Sequence, residues 1–258
     1  MNDSNPIESG RIKLEVSQGV GRIEFFHPMS NSLPGKLLAE LTRGINQLGE
    51  NDDVNVIVLS SKGEKVFCAG ASFEELASIS DLGEGEKFFS GFANVINACR
   101  KCPKLIIGRI QGKAVGGGVG LASATDYCLA TDRAAIKLSE LAVGIGPFVV
   151  GPAVERKIGL SAMSQLAINA TEWQTAQWAR EKGLYTEIFE SIEQLDEAVT
   201  ALTKKLSASN PEALLALKKV FWKGTENWDE LLKERAGISG RLVLSDFTRN
   251  AIAAFKAK

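Results

Sequence analysis

The sequence predicts an α/β fold with a helical C-terminal part, and three observations carry that prediction. Short apolar runs rich in β-branched residues, such as Val54 to Leu59 and Leu105 to Ile110, alternate with stretches of helical periodicity in the N-terminal part. Two glycine clusters, Ala69-Gly70-Ala71 and Gly116-Gly117-Gly118, stand where such runs give way to helical pattern. From Ser161 onward strand signals fade and helical spacing dominates.

Taken in order, Arg11 to Phe26 alternates apolar and polar residues on both sides of a glycine-containing turn, the pattern of a hairpin that His27-Pro28 ends. Leu37, Leu38, Leu41, Ile45 and Leu48 then recur at helical spacing between Leu33 and Leu48, with Pro34 where a helix start tolerates proline. Val54 to Leu59 is a buried strand. Val66 to Ile79 passes from a short apolar run through Ala69-Gly70-Ala71 into a helix that Ser72 can cap, with Glu74 and Glu75 in its first turn. Residues 81–87 form a polar break before a helix from Lys87 to Arg100, which Cys102-Pro103 stops.

Leu105 to Ile110 leads through Gly112 and the triple glycine into another helix, and a short run through Ile136 and Leu138 delivers Glu140. Residues 141–159, rich in glycine and proline, form a loop of the kind that closes over a site. Four helices are predicted after it, over 161–182, 192–208, 211–223 and 228–255. A composition shift near residue 200 divides a core, residues 1–200, from a helical region, 201–258. No repeat of fixed period is present.

The 258 residues are 45% hydrophobic and carry a net charge of -1. That balance gives no global field for nucleic acid or an anionic membrane. The N-terminus lacks the basic and apolar regions of a secretory signal, and no segment has the apolar length to span a bilayer. Cys68, Cys99, Cys102 and Cys128 include one C-x-x-C without a second pair or histidines at zinc spacing, so structural thiols in a reducing cytoplasm are expected and no metal. His27, the single histidine, sits at a strand end beside Pro28 and is expected to be structural. The glycines match neither a dinucleotide fingerprint nor a Walker loop.

What the glycine clusters do offer is backbone. A helix start leaves several amide N–H groups without internal partners at the positive end of the helix dipole, and glycine lets a ligand come close to them. Amides already aimed at a carbonyl oxygen that gains negative charge lower the barrier to reaction. Close strand-to-helix packing would explain the triple glycine equally well, and Glu140 alone could be a surface carboxylate.

FCAGASFEEL (67–76), GKAVGGGVGLASATDYCLAT (112–131) and SELAVGIGP (139–147), in that order, resemble the enoyl-CoA hydratase/isomerase family, the crotonases. The similarity runs from the hairpin and Asn31-Ser32-Leu33 to the terminal AAFKAK. The resemblance implies a spiral of ββα units and a helical C-terminal region that assembles trimers, often stacked as hexamers. It implies an acyl-CoA thioester as substrate and no separate cofactor, CoA being part of the substrate. It puts the oxyanion hole on the N–H groups of Ala71 and Gly117, between the neighbouring glycines Gly70 and Gly116, with Glu140 as acid/base. Backbone at Ala69 and Ala71 and the segment Ser30 to Leu33 match the part that holds CoA, and Phe255 and Lys256 match a C-terminal pair that completes the CoA pocket. Phe73, Leu76, Phe88, Phe89 and Phe148 are candidate walls for the acyl group.

Departures from the family pattern sharpen the expectation. Ordinary hydratases of the family carry glutamates at the positions of both Gly120 and Glu140; this chain has only the second. The family's AGAD is Ala71-Ser72 here, and Phe148 stands where some isomerases and dehalogenases place an aspartate. Two carboxylates hold and activate a water, whereas one is suited to carrying a proton between carbons. An apolar loop against Glu140 would raise its pKa and suit it to that task. The expected activity is migration of a 3-enoyl-CoA double bond to the 2-position, with hydration of a 2-enoyl-CoA as the alternative. A CoA-binding subunit without catalysis is the alternative of another class.

Overall fold

Period-2 alternation along the strands explains the central layer of the molecule. In the computed structural model, which describes residues 7 and 9–256 with side chains through 254, β1 (Arg11–Ser17), β2 (Val20–Phe26), β3 (Val56–Ser61), β5 (Leu105–Ile110), β7 (Tyr127–Thr131) and β9 (Glu187–Phe189) form one sheet. They lie in the order β1-β2-β3-β5-β7-β9, with the β1–β2 hairpin antiparallel and every later pair parallel. Ile57, Leu59, Ile106, Ile110, Cys128 and Ala130 face the main core on one side; Val56, Val58, Leu105, Ile107 and Leu129 face a second apolar layer on the other. A parallel sheet covered on both faces needs apolar residues at nearly every position, which is why these runs are uninterrupted.

The main core is closed by α1 (Gly35–Glu50), whose Leu37, Leu38, Leu41, Ile45 and Leu48 are buried as their spacing predicts, and by α3 (Leu82–Lys101). The outer layer is closed by α7 (Ile192–Ser207) and α8 (Pro211–Phe221) through Leu195, Val199 and Leu214. The residue-200 composition shift therefore falls inside α7. Beyond them, α9 (Trp228–Leu242) lies along α3, so close that a Cβ on Gly85 would come 2.6 Å from the carbonyl oxygen of Gly240, and α10 (Asp246–Lys256) ends the described chain.

A second, smaller sheet consists of β4 (Val66–Cys68), β6 (Lys113–Val115) and β8 (Ile136–Lys137), all parallel. Three successive units of the chain each give one strand to the large sheet, one to the small sheet and then helix. These are β3-β4 with α2 (Phe73–Ser78) and α3, β5-β6 with α4 (Gly117–Ala124), and β7-β8 with a 3-10 turn (Leu141–Val143) and α5 (Gly151–Ile168). The large-sheet strands begin at 56, 105 and 127, so the repeat has no fixed sequence period.

Several boundaries differ from expectation. Residues 82–87 are the first turns of α3, because Asp81 caps it by accepting from the Glu84 N–H at 2.9 Å and Gly85 packs against Gly240. The loop after Glu140 ends earlier than predicted, at α5, which Pro152 helps start and Gly159, at φ 74°, kinks. The helix predicted over 161–182 breaks where Gln174 exchanges backbone hydrogen bonds with Ile136 and resumes as α6 (Ala176–Glu181); that over 228–255 breaks between α9 and α10. Strand β9 was not predicted; its three residues are too few to show a period. Most of the N-terminal segment read as lacking a secretory signal lies outside the described residues. Among the described residues no helix is long and apolar enough to cross a membrane.

Candidate active site

The small sheet explains how three distant stretches of sequence meet. Its strands are parallel and paired in near register, Cys68 with Ala114, Ala114 with Ile136 and Val115 with Lys137, so their C-terminal ends emerge at one edge. From those ends continue Ala69-Gly70-Ala71, Gly116-Gly117 and Ser139-Glu140 respectively. Carboxyl ends of parallel strands are where open α/β sheets leave room for ligands. Here all three segments line one cavity enclosing about 60 Å³ of free space.

The two glycine turns touch. Gly70 sits at φ +86°, and a Cβ there would lie 2.8 Å from the Val115 carbonyl and 3.3 Å from the Gly117 nitrogen. Gly116 sits at φ +52°, with its would-be Cβ 2.9 Å from Glu140 Oε1. Any side chain at either position would be strained and would push the turns apart. Among the described residues neither the N–H of Ala71 nor that of Gly117, which opens α4, donates to a backbone acceptor. Pairing of Leu33 with Ala71 fixes the first turn: Leu33 N–H donates to the Gly70 carbonyl at 2.8 Å and Ser72 N–H to the Leu33 carbonyl at 3.4 Å. Ser72 in turn caps α2 by accepting from Glu75 N–H.

Glu140 is the one carboxylate among the described residues lining the cavity, and its Oε2 is buried with no hydrogen-bond partner. Burial pushes its pKa up from 4.5 to about 7; its own backbone N–H opposes that shift without cancelling it. Around it stand Phe73, Leu76, Phe89, Phe92, Val143, Ile145, Phe148, Val149 and Val150, and among the described residues no cationic side chain lines the cavity. At Gly120 there is no gap: a Cβ there would lie 2.4 Å from Val150 Cγ1, so the residue at the start of α5 fills the space a second acid would need. This arrangement can bind a carbonyl oxygen at unpaired amides and exchange a proton with a carboxyl held near neutrality.

Of the residues predicted from sequence, Ala69, Gly70, Ala71, Phe73, Gly116, Gly117, Glu140 and Phe148 line this cavity. Ser30 lines an adjoining outer groove of about 770 Å³ that shares Ala69, Ala71, Phe73, Ser139 and Val143 with it. Leu33 reaches neither; its side chain is fully buried and its contribution is the backbone pairing with Ala71. Phe255 and Lys256 end α10, and their side chains lie outside the described residues. Leu76 and Phe89 are walls, whereas Phe88 lines another groove and meets the wall through ring contacts with Phe89 and Phe92.

Sequence reasoning missed Phe92 and Ser239, and while it expected an apolar loop against Glu140 it did not place Val150 of that loop at Gly120. Phe92 continues an ordinary apolar stripe on α3, and nothing in the sequence marks the ring that packs against Gly117. His27 is structural as expected: its Nδ1 accepts from Met29 N–H and lies 3.0 Å from Ser32 Oγ, bracing the turn that carries Ser30. All four cysteines are buried and unpaired, with burial pushing Cys68, Cys99 and Cys128 up to about 12, which leaves them inert. Among the described residues no cluster could hold a metal ion.

A family model for enoyl-CoA hydratase/isomerase matches residues 15–255. A peroxisomal Delta(3,5)-Delta(2,4)-dienoyl-CoA isomerase of Arabidopsis thaliana is 28% identical, over 87% of this chain and 84% of the relative. A probable enoyl-CoA hydratase of Bacillus subtilis is 27% identical, over 96% of both chains. The crystal structure of a protein described as an enoyl-CoA hydratase from Mycobacterium avium paratuberculosis superposes with a TM-score of 0.84 at 25% identity, covering 96% of each chain. The fold of such structures is the one described above.

Proposed function

The chain belongs to the enoyl-CoA hydratase/isomerase family, and from that premise we propose that it shifts the double bond of a 3-enoyl-CoA to the 2-position with Glu140 as its single acid/base. The relatives include an isomerase and a hydratase at similar identity, so the choice between them rests on the site. The observation that carries it is Val150 packed into the space at Gly120, which leaves Glu140 alone among apolar walls.

In the proposed reaction the thioester oxygen takes hydrogen bonds from the N–H groups of Ala71 and Gly117. Glu140 removes a proton from the α-carbon, and the electron pair moves onto the oxygen as the dienolate forms. Protonated Glu140 then returns the proton to the γ-carbon, and the dienolate collapses to the conjugated 2-enoyl thioester, with no net change in atoms. A carboxyl with a pKa of about 7 is half-ionised at neutral pH and is suited to both steps. Hydration would need a water held opposite Glu140, where Val150 presents methyl groups instead. In the same reading the chain assembles as a homotrimer or a pair of stacked trimers, through exposed apolar residues of α5 and α8.

The test offers the purified protein a short 3-enoyl-CoA and the matching 2-enoyl-CoA in deuterated buffer. Conversion of the first, without hydration of the second, is the expected result, and Glu140→Gln lowers it by at least about a hundredfold. Hydration without isomerisation would reject the reading. Tight thioester binding with no conversion and no deuterium at the α-carbon would instead favour a binding subunit.

A further inference from the structure

The outer groove has a cationic flank that the family resemblance does not carry over. Lys113 and Val115 alternate along β6, and Lys137 of β8 pairs with Val115, so all three lie on one face of the small sheet while Ala114 and Ile136 are buried on the other. Beside them stands Trp173, held at the sheet edge because Gln174 exchanges two 2.9 Å backbone hydrogen bonds with Ile136. Val115, Lys137 and Trp173 line the groove that opens from the Glu140 cavity.

Lys137 Nζ lies 4.6 Å and Lys113 Nζ 5.0 Å from the centroid of the Trp173 ring. Two ammonium groups thus share one half-exposed indole, and among the described residues no carboxylate lies within ion-pair distance of either. The ring attracts each cation but neutralises neither, so the pair keeps its pull on an anion. The carboxylate that does line the groove, Glu74, takes a weak hydrogen bond from Ser72 Oγ at 3.4 Å on the α2 side. The groove is therefore polarised, with Lys137 and Trp173 in the wall of its anion-attracting end and Lys113 beside that ring.

Resting on the thioester reading above, we propose that Lys113 and Lys137, braced by Trp173, bind a phosphate of the carrier that brings the acyl group into the cavity. Two carriers share that chemistry, since phosphopantetheine stands both within CoA and on acyl-carrier proteins. The lysines act on binding and not on the chemical step. Removing them weakens the hold on the phosphate and leaves the carboxyl and amides of the inner cavity as they were.

Calorimetric titration of the intact protein with CoA, 4′-phosphopantetheine and unphosphorylated pantetheine tests this. In a Lys113→Gln/Lys137→Gln variant the affinity for CoA is expected to fall about tenfold or more and to lose much of its salt dependence, with pantetheine binding unchanged. In turnover of a CoA thioester, KM rises with kcat held, and Lys113→Arg/Lys137→Arg restores KM. An equal loss for 4′-phosphopantetheine identifies the phosphate common to both carriers; a loss confined to CoA identifies its nucleotide phosphates. If the wild type binds CoA and the Gln variant binds it equally well, this site is refuted while the reaction stands. If the wild type binds none of the three, the thioester reading falls with it.

Discussion

Glu140 concentrates the chemistry in one carboxyl group, and its burial has consequences for both rate and stability. Because the base is the ionised form and its pKa is raised to about 7, kcat/KM for a 3-enoyl thioester is expected to rise as pH passes through about 7. A profile rising near pH 4.5 would mean that the carboxyl is solvated. Below the ordinary pKa of 4.5 the group is protonated whether the chain is folded or not, and burial adds no charge penalty. Between 4.5 and 7 the folded chain keeps a proton the unfolded chain has released, so stability falls as pH rises, by about 3 kcal/mol once above 7. Glu140→Gln removes that slope, so urea denaturation should find its stability relative to wild type growing between about pH 5 and pH 8. Gly120 poses a steric test of the same site. Gly120→Ala puts a methyl 2.4 Å from Val150 Cγ1 and is expected to cost about 1–3 kcal/mol. Val150→Ala in the same chain should recover part of that loss, and strictly additive effects in the double-mutant cycle would mean the two residues do not meet.

Among the elements, what packs against its own sequence neighbours was legible and what depends on distant partners was not. Helix α1, the β1–β2 hairpin and the Ser72 cap follow from local spacing and turn chemistry, and all are present. The first turns of α3 were hidden because Gly83, Gly85 and two glutamates look like a break until α9 is laid against Gly85. The two glycine turns and Glu140 could be named from the sequence, but the parallel register of the small sheet that brings them together could not. The apolar loop against Glu140 was legible, but that its Val150 stands at Gly120 was not, because only α5 packing on α4 shows it. A buried ionic cluster was equally invisible. Asp126, at the start of β7, accepts from Lys218 of α8 at 2.6 Å, from Trp222 Nε1 at 2.7 Å and from the Ile106 N–H of β5 at 2.7 Å, while Lys157 of α5 reaches its carbonyl at 3.0 Å. The side chains of Asp126 and Lys218 are 2% and 3% exposed, so removing one strands the other without solvent. Asp126→Ala should destabilise the chain by about 3–5 kcal/mol in chemical denaturation. A change under about 1 kcal/mol would mean that water reaches the cluster.

At the scale of the whole molecule, large apolar side chains are left exposed on α5 and α8. Leu160 and Ile168 of α5 are 68% and 71% exposed, and Val220 of α8 is 68% exposed with Phe221 beside it. Arg156 of α5 donates to the carbonyl of Phe221, so the first turns of α5 adjoin the end of α8. The assembly proposed above uses these side chains as its contact, since a shared apolar patch marks an interface whereas scattered single residues would not. The exposed side chains contribute little to the fold of one chain, so a charge placed there separates assembly from folding. Val220→Glu and Ile168→Glu together are expected to keep the helical circular dichroism and the unfolding midpoint of the single chain within narrow limits. In sedimentation, the wild type should run as a trimer or a pair of trimers, and the variant should shift to the single chain, because burying two carboxylates against apolar partners costs several kcal/mol per contact. A wild type that already sediments as a single chain would overturn the assembly. A variant that remains a trimer would move the interface to another face, leaving the Glu140 site, which is built from one chain's own strands, untouched.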